Sequence, residues 1–264
     1  MTLAILCVKL NGCRDNKNDN FRHITLFKSQ LHLERLFHRL NQAGKRPNRR
    51  KLHNRLNILV GLRSYFQKRT PDEVTSAFLI VGLGNPGRQY RENRHNIGFL
   101  LMDSLAKQLD AQFSRLQSKA LVSKTHYHDS QIILAKPQTF MNLSGQAVTS
   151  LVNFYKIPHN QLMVAYDDVD LPFGALRIRP SGGSAGHNGM NSIIEKLGTQ
   201  EFPRLRMGVG RPPGRMDAAA YVLQDFNKDE TVELQFLLNR AVEAVLLFIS
   251  DGLQSTMNKY NSPE

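Results

Sequence analysis

Cysteine is almost missing from this chain. There are two, Cys7 and Cys13, so no disulfide framework and no thiolate zinc site is available to support a fold, and a reducing compartment such as the cytoplasm fits. Long apolar runs are missing too. The longest early one, Leu3 to Leu10, is too short to span a bilayer and is interrupted by Lys9. No small-residue cleavage site follows it, so neither a membrane anchor nor a secretory signal is expected. Methionine is absent between Met1 and Met102, so a downstream start would need a codon that usually reads as another residue.

Acidic residues are scarce in one part of the chain only. Residues 1–76 hold 16 Lys+Arg against 5 Asp+Glu, a net of +11, whereas residues 77–264 hold 19 against 17, a net of +2. The formal charge of +13 therefore describes the N-terminal third and is a poor guide to the rest. From Asn11 to Arg69 the sequence is rich in Asn, Arg, Lys, His and Gln. Ser29 to Leu40 has the spacing of an amphipathic basic helix, but Gly44, Pro47 and Arg49-Arg-Lys51 argue against a packed domain. Residues 1–76 are thus expected to form a poorly ordered or partly helical basic extension, with an organellar transit peptide or an RNA-binding arm as alternatives. Residues 77–264 are expected to be one catalytic domain of ordinary α/β size.

At Ala77 the texture changes. Ala77 to Val81 is continuously apolar and ends in glycine, as a strand buried on both faces would. Ile97, Leu101, Leu105 and Leu109 recur at helical spacing. Leu121–Tyr127 and Gln131–Lys136 read as a hairpin, Ser144 as the cap of a helix that Pro158 ends, and Leu162–Tyr166 as a second buried strand. Strands over Ala175–Arg179 and Leu205–Val209, a short helix from Asn188 closed by Gly198, and a long helix from about Asp229 to Ile249 that stops near Gly252 complete the reading. Alternating elements of this kind imply an α/β fold: a mixed twisted sheet flanked by helices on both faces.

Three constellations compete for the chemistry. Gly82-Leu-Gly-Asn-Pro-Gly87 matches the dinucleotide-binding pattern G-x-G-x-x-G after a strand, but no apolar stripe begins before Ile97 and no second strand ends in an acid at the required distance. Gly182-Gly-Ser-Ala-Gly186 matches the nucleophile elbow of serine hydrolases. Its only later histidine is His187, three residues on and ahead of every later Asp, so the chain order of that triad fails and a glycine-rich turn is the better reading. The third is His95 with the acidic loop Tyr166-Asp-Asp-Val-Asp170. An imidazole can take a proton from water when a carboxylate on its other nitrogen fixes the tautomer, and Asp167 sits just after a buried strand, where α/β sheets place their chemistry. Asn85, Asn142 and Asn188 stand in three glycine-bearing loops, and their amides can both donate to and accept from a neutral ester or a ribose hydroxyl. His126 and His128, without further ligands, make a poor metal site.

Five stretches in order carry a resemblance: Ile80-Val-Gly-Leu-Gly-Asn-Pro-Gly87, Arg94-His-Asn-Ile-Gly98, Lys136-Pro-Gln-Thr-Phe-Met-Asn-Leu-Ser-Gly145, Tyr166-Asp-Asp-Val-Asp-Leu-Pro172 and Gly186-His-Asn-Gly189. Over almost all of residues 78–260 the chain resembles the bacterial peptidyl-tRNA hydrolases. The resemblance implies hydrolysis of the ester between peptide and tRNA, with His95 as base, Asp167 orienting it, and Asn85, Asn142 and Asn188 binding the substrate or its attacking water. It further implies that Tyr90, Phe140 and Met141 line the cleft, that the enzyme works as a monomer, and that it needs no metal or other cofactor. The basic extension departs from the bacterial pattern.

Nucleic-acid binding has support of its own in the residues. Arg177 and Arg179 lie two apart on a strand, as do Arg204 and Arg206, so each pair should share a face opposite to Leu176, Ile178, Leu205 and Met207 and grip tRNA phosphates without reading bases. The rival reading is a non-catalytic RNA-binding homologue of the same fold, like the intron-splicing proteins of plant chloroplasts.

Overall fold

β1 (Ala77–Gly82) is the strand expected from its unbroken apolar run, and its last four residues are buried. The computed structural model describes residues 76–261; the basic extension, with the amphipathic stretch from Ser29 to Leu40, lies outside them. β1 pairs in parallel with β4 (Ser130–Pro137) on one side and β5 (Leu162–Asp168) on the other, and β5 pairs in parallel with β7 (Arg204–Gly208). Antiparallel strands flank this parallel centre. β3 (Ala120–Tyr127) forms the expected hairpin with β4, the short β2 (Arg115–Gln117) adds to it, and β6 (Leu176–Arg179) lies along β7. The order is β2-β3-β4-β1-β5-β7-β6.

Successive side chains of a strand point to opposite faces, and the two faces hold separate cores. Leu79 and Val81 of β1 join α2 (Ser144–Tyr155) and α3 (Asn188–Leu197) on one face. Ile80 joins α1 (Ile97–Gln108) and α5 (Glu230–Tyr260) on the other. The mixed sheet with helices on both faces is therefore present as expected. Among the described residues, no helix is long and apolar enough to cross a membrane.

Local details depart from expectation. Ser144 does not cap α2; its hydroxyl is buried without a partner, and the Ser192 hydroxyl takes the Gly145 N–H instead, at 3.0 Å. α5 breaks at Gly252 as expected, but a second helical segment follows. That glycine kinks the helix with a φ of 83°, and the chain continues helically to Tyr260. The extra turns have a purpose: the Asn261 amide bonds both the N–H and the C=O of Ile178 at 2.8 Å, capping part of the exposed edge of β6. β2 and the five-residue helix α4 (Ala218–Val222) were not anticipated.

One close approach sets the site. A Cβ on Gly82 would lie 2.0 Å from the Gly98 carbonyl oxygen, and one on Gly98 would lie 2.4 Å from the Leu83 amide nitrogen. Backbone meets backbone there, which only glycine permits. The start of α1, and the turn before it that carries His95, is thereby pressed onto the C-terminal ends of β1 and β5.

Candidate active site

His95 leaves a 3-10 turn (Arg94–Asn96), and Asp167 is the penultimate residue of β5. Although 72 positions separate them, His95 Nδ1 stands 2.8 Å from Asp167 Oδ1, with 12% of the histidine side chain and 3% of the aspartate exposed. Burial alone would raise the Asp167 pKa, but the imidazoles of His187 and His95 outweigh it and hold the carboxyl well below the usual carboxylate range. An ionised Asp167 can only accept, so it fixes the proton of His95 on Nδ1 and leaves Nε2 as the basic nitrogen.

Both residues line a cleft of about 780 Å³ that also meets Asn85, Phe140, Met141, Asn142 and Asn188. Asn85 follows β1 and is locked. Its backbone N–H and C=O bond the Asn96 amide at 2.8 and 2.9 Å, and its own Oδ1 takes the Met141 N–H at 2.8 Å. With the oxygen spent, its NH2 group is what the cleft can use. Asn142 and Asn188 are exposed, Phe140 is 59% exposed at the rim, and Met141 is buried beneath. Tyr90 is a correction. It sits in a separate 3-10 turn (Arg88–Tyr90) and is not among the residues that line the cleft.

The arginines divide. The register sets Arg177 opposite Arg206 and Arg179 opposite Arg204, so all four share one face as expected. Arg204 is nevertheless no phosphate ligand: 1% exposed, it bonds the carbonyls of Gly183 at 2.7 Å and Gln200 at 3.0 Å and lies over the Phe202 ring. The glycine-rich loop covers that end of the ladder. Arg206 gives its Nε to Asp168. Arg179 is exposed and Arg177 half-buried, and neither makes an ion pair among the described residues.

Ser184 has no base. Its hydroxyl takes the Gly186 N–H at 3.3 Å, while His187 turns to Asp167 at 3.1 Å and to the start of α3. His128 lies in the β3–β4 turn with a φ of 51°, so it does not share a strand with His126. His95, Asp167 and His187 do offer ligand atoms within 4.8 Å of one another. Those atoms already bond each other, and a cation among them would have to displace both N–H groups.

The peptidyl-tRNA hydrolase family profile matches residues 79–264 of the chain. The chain belongs to the peptidyl-tRNA hydrolase family. It is 52% identical over 185 residues to the peptidyl-tRNA hydrolase of Chloroflexus aurantiacus, covering 70% of this chain and 98% of that one. It is 50% identical over 186 residues to the chloroplastic peptidyl-tRNA hydrolase of Arabidopsis thaliana, covering 70% of this chain and 65% of the relative. The crystal structure of the Acinetobacter baumannii peptidyl-tRNA hydrolase superposes with a TM-score of 0.67 at 29% identity, over 73% of this chain and 98% of that chain.

In this peptidyl-tRNA hydrolase, several residues that complete the site went unremarked in the sequence. Asn96 sits inside the Arg94-His-Asn-Ile-Gly98 stretch and clamps Asn85. Val222 and Leu223, at the end of α4, line the cleft together with the glycine-rich loop. Arg94, next to His95, is buried and ties its turn to Gln224, Asp225 and Glu230. Periodicity could not have found these; for Arg94 and Asn96 the signal was adjacency to His95 in a matching stretch, and Val222 and Leu223 lie in none of those stretches.

Proposed function

We propose that the chain hydrolyses the ester of peptidyl-tRNA with His95 as general base, Asp167 orienting it, and Asn85, Asn142 and Asn188 holding the ester and its attacking water. The observation that carries this is the 2.8 Å contact between His95 and an ionised Asp167 at the wall of an open, amide-lined cleft. Water gives a proton to His95 Nε2, its oxygen adds to the ester carbonyl, and the imidazolium returns the proton to the departing ribose oxygen. The Asn85 NH2 is placed to stabilise charge growing on the carbonyl oxygen. Phe140 and Met141 offer the peptide an apolar wall. Incubating the full chain with an N-blocked aminoacyl-tRNA is expected to release free tRNA. Bound tRNA with its ester intact would leave the RNA-binding reading instead.

Residues 77–264 form the catalytic domain in this reading, and residues 1–76 a basic extension to it. One copy suffices, since every group of the site comes from a single chain. Arg177 and Arg179 meet tRNA phosphates, with Arg206 adding the guanidinium nitrogens that Asp168 does not use. Arg179→Ala is expected to weaken tRNA binding and lower the slope of log Kd against log salt by about 1. Arg204→Ala is expected to leave that slope alone and cost about 1–3 kcal/mol of stability, because the carbonyls it serves lose their donor. Equal slopes for Arg179→Ala and the parent would place the phosphates elsewhere.

The cytoplasm is the proposed location, with an organelle as the alternative that the Arabidopsis chloroplastic relative favours. A fluorescent protein fused after Glu264 should give diffuse cytoplasmic signal; organellar signal that vanishes when residues 1–76 are removed would favour the alternative.

A further inference from the structure

His187 is held at both ring nitrogens. Its Nδ1 accepts the N–H groups of Gly189 at 3.1 Å and Met190 at 3.3 Å, making it the N-cap of α3. A nitrogen that accepts two N–H donors presents a lone pair, so the ring proton sits on Nε2. That nitrogen lies 3.1 Å from Asp167 Oδ1, the same oxygen that His95 Nδ1 meets at 2.8 Å. Protonating His187 would set a new Nδ1–H against two N–H groups, donor facing donor. The Tyr166 ring meets it edge-on with centroids 4.9 Å apart, and 8% of its side chain is exposed. Neither nitrogen is left to act on substrate.

We infer that His187 is a positioning residue for the hydrolysis: its permanently oriented Nε2–H donates to Asp167, fixes the carboxylate for His95, and makes that carboxylate a poorer acceptor for the Nδ1 proton of the imidazolium formed when His95 takes a proton from water at Nε2. The inference rests on the reading of His95 as base. Once His95 has accepted a proton at Nε2, both of its nitrogens carry hydrogen, and the one on Nδ1 faces Asp167. If Asp167 took it, the proton needed by the departing ribose oxygen would still be on the ring, but the ion pair that stabilises the imidazolium would be gone. A second N–H on the same carboxylate oxygen opposes that transfer. His187 also places Asn188, the next residue, so the substrate amide and the catalytic pair share one anchor.

The two jobs of the ring can be separated by isosteres. Asparagine sets an amide oxygen near the position of Nδ1, so His187→Asn keeps the cap and loses the bond to Asp167. Glutamine sets an amide nitrogen near the position of Nε2, so His187→Gln keeps the bond and loses the cap. In the full chain, His187→Asn is expected to lower kcat on an N-blocked aminoacyl-tRNA by about 10–100-fold with little change in KM. His187→Gln should keep at least about tenfold more kcat than His187→Asn, yet melt about 2–4 °C lower from loss of the cap. Activity and stability thus run in opposite orders. Imidazole 15N spectra of His95 should show a single Nδ1–H tautomer in the parent and in His187→Gln, and mixed tautomers in His187→Asn. If kcat simply follows melting temperature across the pair, or if His187→Asn keeps normal kcat and a single tautomer, His187 is a cap alone and the inference falls. A parent chain that hydrolyses the ester equally well with His95→Ala would instead overturn the reading of the base beneath it.

Discussion

Replacing His95 with alanine should lower kcat on an N-blocked aminoacyl-tRNA by about 10²–10⁴-fold, the usual contribution of a positioned general base, while the Kd for tRNA stays within about twofold. The split follows from where the groups lie. His95 stands at the end of β5 beside Asp167, whereas the guanidiniums offered to phosphate, those of Arg177 and Arg179, project from β6. Alanine removes the nitrogen that accepts the proton from water without touching that surface. Nor does it strip Asp167 of every partner, since His187 still donates to the same oxygen at 3.1 Å. The variant should therefore remain folded, which a melting temperature close to the parent's would verify before the kinetics are read. Hydrolysis by His95→Ala at near the parental rate would remove His95 from the mechanism, and a parallel loss of tRNA affinity would show that the side chain serves binding.

The parts of the fold that could be read from the sequence are those whose cause is local. Ala77 to Val81 announces β1 because only a doubly covered strand tolerates an unbroken apolar run, and Ile97, Leu101 and Leu105 announce α1 through their spacing. β2 has three residues, two of them exposed, and so no pattern to detect; α4 has five, of which two are buried. The proposed catalytic pair was legible because Asp167 follows a buried apolar strand and His95 lies in one of the matching stretches. What alternation could not reveal was which part of a sheet face another segment covers. It placed Arg204 correctly on the face of Arg179, yet the loop through Gly183, some twenty positions upstream, closes over one and leaves the other in solvent. The same limit applies to Tyr90, which lies close in sequence to Asn85 but on a turn that is not part of the cleft's lining. Gly252 looked like a stop because glycine usually ends helices. The reason the helix resumes is the distant edge of β6, which needs Asn261.

Arg94→Ala should produce the largest loss of stability, about 3–5 kcal/mol, as expected when one partner of a buried ion pair is removed and the other is left behind. The Arg94 side chain is 6% exposed and that of Glu230 19%. One guanidinium nitrogen meets both carboxylate oxygens of Glu230, at 2.8 and 2.6 Å, and another meets the carbonyl of Asp225 at 2.7 Å. The guanidinium carbon, Cζ, lies 4.4 Å from the centre of the Tyr221 ring and 5.2 Å from that of Phe226. Alanine would leave the Glu230 carboxylate without its cation, with only the Asn227 N–H still donating to one oxygen at 2.7 Å, and would remove the group packed against the two rings. Arg94→Lys keeps a charge but neither the paired geometry nor the stacking, so it should lose an intermediate amount. The double change Arg94→Met with Glu230→Leu removes both charges together and should recover most of the loss, giving a coupling of more than about 1 kcal/mol in urea unfolding of the full chain. Because the Arg94 backbone N–H also bonds the Gln224 carbonyl at 3.0 Å, this pair joins the turn that carries His95 to the segment whose Val222 and Leu223 wall the cleft. Loosening it should therefore lower kcat as well, through a base that no longer meets Asp167 squarely. Additive energies in the double change would mean that Arg94 stabilises the fold through its ring contacts and backbone carbonyls alone, and that Glu230 is a bystander.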